Sequence, residues 1–174
     1  MDFLYTEEAW GPLLKEQEEK LVYESFSREQ ALELGISIEK LAREKYHGSV
    51  AIRIIIEDLD VFTHRMTGSI KDADWWMQNK YITARFVRMS SLRALVAARY
   101  GEINPFLWNL TNSYVCGGCF PILNKNGGRP HGFVVISGMK HFEDHQCIAD
   151  AMAQQLGVEI PDICAKKEKA KSKK

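Results

Sequence analysis

Two short stretches hold the side chains best placed for chemistry. The first is Cys116-Gly117-Gly118-Cys119, followed by Phe120-Pro121-Ile122. Two thiols at this spacing can cycle as a dithiol or hold a metal. A dithiol oxidoreductase sets its reactive thiol at a helix N-terminus, which lowers the thiol pKa. Phe-Pro-Ile reads as strand, so that help is missing here. Zinc needs two more ligands. Cys147, His141 and His145 are available, but no second pair has knuckle spacing, and no metal is expected. The glycines read as a kinked strand edge, or as a site where bare backbone faces a ligand. The second stretch is His141-Phe142-Glu143-Asp144-His145. Imidazoles at i and i+4 could share a metal, but the H-E-x-x-H form is absent. Its acids also sit where a helix dipole favours them. No phosphate-cradling glycine loop and no nucleophile elbow occurs elsewhere.

These stretches need a framework, and the chain has room for one. It is 174 residues long, 45% hydrophobic and 26% charged, as in an ordinary soluble domain with a proper core. No apolar run has membrane-spanning length. The N-terminus is acidic and lacks the layout of a signal peptide, so a cytoplasmic protein with free thiols is expected. The net charge is zero, but residues 166–174 carry six lysines and one glutamate, which leaves the body acidic. An acidic body argues against a nucleic-acid-binding face. The expected organisation is a peripheral N-terminal helix in 1–24, a domain in 25–160 and a disordered lysine-rich tail in 161–174.

The helix after Ser27 carries a capping box with Gln30, and Phe26 is placed as a staple against Ala31. Leu34, Ile38, Leu41 and Ala42 form its apolar face. Residues 49–56 read as a buried strand that returns through 61–66 as a hairpin. From Ser69 to Tyr100 no glycine or proline intervenes, which predicts one long central helix. Trp75, Ile82, Phe86, Met89 and Val96 then face the core, and Lys80, Arg85, Arg88 and Arg93 form a solvated edge. Strands are expected near 113–116, 119–123 and 131–137, and a last helix over 140–155 capped by Gly157. Strands joined by hairpins favour an α+β fold with an antiparallel sheet.

Three segments together resemble a known family. Asp72-Ala73-Asp74-Trp75, continued by Lys80, Thr83, Arg85-Phe86 and Ser90-Ser91, looks like its long-helix signature. Cys116 to Ile122 looks like its H-G-G-G-F-P-I strand. Ser137-Gly138-Met139 with Glu143-Asp144-His145 looks like its closing S-G-L…E-D-H. This is the haem-degrading-domain family of GlcG-like and HbpS-like proteins, in its small cytosolic branch. The resemblance spans residues 25–157. It implies profilin-like α/β/α layers, a symmetric homo-oligomer, and haem or another tetrapyrrole as a ligand. Cys116 stands where the family has His, Cys119 where it has Gly, and Asn79 where it has Arg. Thiolate is also a haem ligand type, so Cys116 keeps haem open as a cofactor.

The candidate ligand-binding residues are therefore Asp74, Trp75, Lys80, Thr83, Arg85, Cys116, Gly117, Gly118, Asp144 and His145. Arg85 offers a fork for a carboxylate. The leading expectation is a homo-oligomeric protein that binds a small ligand near Gly117-Gly118 without fast catalysis. An oligomeric scaffold that binds a partner protein is the alternative, and a haem-degrading or thiol redox enzyme the third.

Overall fold

The computed structural model describes residues 3–104 and 115–167. Among them are five helices: α1 (Trp10–Lys20), α2 (Arg28–Glu44), α3 (Ala73–Val87), α4 (Ser91–Arg99) and α5 (His141–Leu156). Five strands form one sheet: β1 (Val22–Tyr23), β2 (Ala51–Ile56), β3 (Leu59–Arg65), β4 (Cys119–Asn124) and β5 (Gly132–Ser137). Their order is β1-β4-β5-β2-β3. All neighbours are antiparallel except β1, which pairs parallel with β4 at the edge. The class is α+β, as the hairpin pattern implied.

Strand alternation sorts the core into layers. Ile52, Ile54, Phe120, Ile122, Val134 and Ile136 face α2 and α5. Ala51, Cys119 and Val135 face Ala73, Met77, Tyr81 and Ala84 of α3. Ile55, four residues on from Ala51 in β2, faces α3 as well. The result is an α/β/α sandwich. The predicted local signals sit where they should. Ser27 and Gln30 form the capping box of α2, and Gly157 ends α5 at φ 66. Pro12 lies in the first turn of α1, where its missing N–H has no intrahelical partner to lose.

The long central helix is two helices. α3 stops at Arg88, a non-glycine residue at φ 57, and α4 restarts from Ser90 as N-cap. The Ser90 hydroxyl accepts from the Arg93 N–H, and the buried Glu18 of α1 accepts the Ser90 N–H at 2.8 Å. Glu18 also pairs with Arg93 at 2.5 Å. A carboxylate from another helix thus satisfies donors that a break exposes, and it frees α4 to pack on α1. The inward face also differs from the expectation. Trp75 and Phe86 are about half exposed, at 48% and 51%, whereas Lys80 is sealed at 2%.

Of the strand expected near 113–116, Ser113 and Tyr114 lie outside the described residues. Val115 and Cys116 are not in a strand. Segments on either side of the expected 25–160 domain pack against one another. α1 buries Trp10, Leu14 and Gln17, and Ile163 is fully buried beside Trp10, Leu92 and Val96. No described helix is long and apolar enough to cross a membrane.

Candidate functional site

β4 begins directly after the glycine pair, so the sheet delivers Gly118 to the inner end of β5. The Ile136 N–H donates to the Gly118 carbonyl at 2.8 Å, which extends the β4–β5 ladder by one bond. Gly118 does this at φ 119, in the region that favours glycine. Above it lies a buried ion pair. Lys80 of α3 donates through Nζ to Asp144 of α5 and to the Ile136 carbonyl, each at 2.8 Å. The pair is 2% and 1% exposed. Asp144 accepts on its other oxygen from the Met139 N–H at 3.1 Å. One ion pair therefore ties both helical layers to the sheet.

The glycines are required by this packing. A Cβ on Gly118 would stand 2.7 Å from Lys80 Nζ and 2.8 Å from the Ile136 oxygen. A Cβ on Gly117 would collide with the carbonyl oxygen of His141. The faces that looked available to a ligand are covered by the chain itself. Gly118→Ala is expected to lower stability by about 2 kcal/mol or more, because the lost space beside Lys80 and the Ile136 carbonyl adds to the strained φ. Chemical denaturation checks this, with Gly127→Ala as the control. Gly127 also has positive φ (75), but nothing lies near its Cβ position.

Two part-exposed groups sit at the mouth of this buried pair. Cys116 precedes the glycines, and burial raises its thiol pKa while Lys80 pulls against that rise. His141 receives the Gly117 N–H on Nδ1 at 3.4 Å, and burial lowers its pKa, so the ring is neutral. The other thiols differ. Burial pushes Cys119 and Cys147 up strongly, and both are fully enclosed. Cys164 donates to the Phe142 carbonyl. All four are free, so Cys116 and Cys119 form no disulfide.

The candidate residues fall into separate groups. Lys80, Asp144, Cys116, Gly117 and Gly118 come together. His145 lies beside them on α5 but is sealed at 0%. Its ring tilts against Phe120, and its Nε2 lies 2.8 Å from the Gln17 side-chain oxygen. Thr83 is buried and donates to the Asn79 carbonyl. Asp74 and Trp75 stand at the N-terminal end of α3, where Asp74 pairs with Arg65 at 2.7 Å and Trp75 meets Trp76 edge to face. Arg85 stands near the other end of α3 and pairs with Asp58 of the β2–β3 turn at 3.2 Å. It does not join the glycine bend. Among the described residues, no group of three His, Cys, Asp or Glu could hold a metal.

Sequence reasoning missed Gln17 and Glu18, and it named Ser91 only as part of a motif, with no role. Gln17 orients His145, Glu18 caps α4, and the Ser91 hydroxyl accepts the Cys119 N–H at 3.0 Å. One signal was present. Leu14, Gln17, Glu18 and Leu21 recur at i, i+3, i+4 and i+7, the buried stripe of a helix that its charges disguise.

Residues 26–153 match the family described as haem degrading protein HbpS-like. A UPF0303 protein of Schizosaccharomyces pombe is 33% identical over 148 residues, which is 83% of this chain and 82% of that one. The crystal structure of Ybr137w protein superposes with a TM-score of 0.72 at 25% identity, over 84% of this chain and 87% of that one. A PduOC–haem complex shares the fold, with a TM-score of 0.63 at 16% identity, over 79% of this chain and 98% of the other.

Proposed function

The chain belongs to the HbpS-like family of haem-degrading proteins, and from that premise we propose that it binds a haem-type tetrapyrrole through Cys116. The observation that carries this is the placement of that thiol. Cys116 is part-exposed and backed by the buried Lys80 cation, whereas Cys119 and Cys147 are enclosed. Haem, when bound, supplies an iron centre that takes thiolate or imidazole ligands and whose potential follows that choice. Cys116 fits the first type, and His141, neutral and half-buried, fits the second. The thiol proton leaves when a metal is bound, and Lys80 favours the thiolate that remains. Phe142, which stacks edge to face with His141 at 5.6 Å, adds an aromatic surface beside them.

The role is binding rather than turnover. Asp144 and His145 are the natural acid and base of the region, and both are shut away from any ligand. The family's symmetric assembly belongs to the same reading. Leu32 and Ile36 are 51% and 57% exposed, one turn apart on the outer face of α2, and they suit burial against another copy.

A visible-light titration with haemin tests the assignment, alongside the mass in solution. The expected result is a saturable Soret shift at one haemin per chain, altered in position by Cys116→Ser and changed less by His141→Gln. A shift that never saturates, or one identical in Cys116→Ser, overturns it. A stable homo-oligomer that takes up no haemin would favour the scaffold reading, which the exposed Leu32–Ile36 pair also suits.

A further inference from the structure

A cleft lies at the end of β5 away from the buried ion pair. Gly132, at its floor, is four residues from Ile136, so the two sites stand roughly 13 Å apart along the strand. The cleft encloses about 380 Å3 between three corners of the chain. The first is the β2–β3 turn, with Glu57 and Asp58 at φ 53 and 62. The second is the C-terminal end of α3, with Arg85 and Arg88. The third is the β4–β5 hairpin, with Gly128, Arg129 and Pro130. All three turn sharply at residues of positive φ, which brings three guanidinium side chains around one opening.

The walls are ordered from within. Gly132 admits no side chain, because a Cβ there would collide with the Ile55 carbonyl. Ile55, Tyr81 and Phe133 make the apolar floor, with the two rings edge to face at 5.3 Å. Tyr81 donates its hydroxyl to Asp58 at 3.1 Å. Burial raises the Tyr81 pKa, so the hydroxyl keeps its proton as a donor. Arg85 pairs with the same carboxylate and lies 5.8 Å over the Tyr81 ring. Asp58 is thus engaged twice, and Arg85 is held in place.

Arg88 and Arg129 are different. Both line the opening, both are exposed, and neither makes an ion pair among the described residues. A guanidinium fork matches the two oxygens of a carboxylate or phosphate and stacks on flat rings. Two unpaired forks over an aromatic floor call for a flat ring that carries an oxyanion. The volume is at the small end of ligand sites. Glu57, also at the rim without an ion pair among the described residues, disfavours a highly charged polyanion.

We infer that this cleft binds a small planar ligand bearing one oxyanion, a carboxylate or a phosphate, held by Arg88 and Arg129 over Tyr81 and Phe133. The site is separate from Cys116 and does not depend on tetrapyrrole binding.

Calorimetric titrations of the full chain with benzoate, phenyl phosphate and inorganic phosphate test it. The expected result is saturable binding of an aromatic probe at one site per chain. Arg88→Gln and Arg129→Gln should each weaken that binding about tenfold, one charge-assisted bond being worth roughly that factor. Cys116→Ser should leave it unchanged. Phenyl phosphate binding the tighter assigns a phosphate ligand, and benzoate the tighter assigns a carboxylate. Absence of saturable binding by both aromatic probes overturns the inference. So does binding that survives both arginine substitutions, and so does inorganic phosphate binding as tightly as phenyl phosphate, since the ring would then count for nothing. Both arginines are exposed on the surface, so melting curves should show the variants folded.

Discussion

Lys80→Met is expected to lower the unfolding free energy by about 4 kcal/mol, the scale for a buried ion pair broken on one side. The variant keeps most of the volume of the side chain and removes the charge. Asp144 is then left 1% exposed without its cation, and the Ile136 carbonyl loses a donor. The remaining backbone bonds, from the Met139 N–H at 3.1 Å and from Gly138, do not replace the cation. Urea denaturation at fixed protein concentration measures the loss. The pair of substitutions Lys80→Met and Asp144→Leu should recover much of it, because two apolar groups carry no unmet charge. If the double variant is as unstable as the single one, the pair serves to position the glycine bend rather than to satisfy charge. If Lys80→Met is neutral, water reaches Asp144 and the site is open.

That lysine also shows where the sequence was readable and where it was not. β2 and β5 are runs of β-branched and apolar residues that can only be buried strands, and the cap of α2 is written in Ser27 and Gln30. Such signals are local. α3, in contrast, carries two stripes that could face inward. One holds Trp75, Ile82 and Phe86, and the other holds Met77, Lys80, Tyr81 and Ala84. Hydrophobicity favours the first. The second is buried because Asp144 waits 64 residues further on, which the spacing within α3 cannot reveal. The same holds for the break after Val87. No glycine or proline marks it, and its capping carboxylate, Glu18, is 72 residues away from Ser90. β1 is two residues long and pairs with β4 a hundred residues downstream, so no local pattern could announce it.

The candidate site was legible by residue type more than by arrangement. Asp144, Lys80 and the two glycines were singled out together, and they do meet. The role expected of the glycines was different, since their open faces admit Lys80 and the His141 carbonyl. Arg85 was expected to offer its fork to a ligand carboxylate near the glycines; it pairs instead with Asp58, and its neighbours are Tyr81, Arg88 and Arg129. Which residues flank a guanidinium depends on the turn at 57–58 and the hairpin at 128–131, and both positions are set by the sheet register.

His145 gives the second large effect, as a dependence on pH. Gln17 donates its amide N–H groups to the Gln146 side chain and the Pro161 carbonyl, so its oxygen faces His145. Nε2 of the imidazole must then carry the proton and donate. Nδ1 is a buried acceptor with no partner among the described residues. A second proton would put a cation into a sealed site, and burial, with a smaller push from His141, lowers the pKa to about 3. The unfolded imidazole titrates near about 6.5. A base whose folded pKa is depressed stabilises the fold above its unfolded pKa, and that contribution is lost as pH falls from there towards 3. Asp144 works in the opposite sense. Burial, against the pull of Lys80, pushes it up to about 6, so its contribution is fully present below about 3.9 and fades as pH rises through 6. The two effects mask each other in the wild-type curve. The comparison with His145→Gln separates them, because glutamine keeps a donor for Gln17 and carries no titrating group. The stability of wild type minus that of the variant should fall by about 2.5 kcal/mol between pH 7 and pH 4.5. A difference that stays flat would mean the imidazole is reached by water and titrates as it does in the unfolded chain.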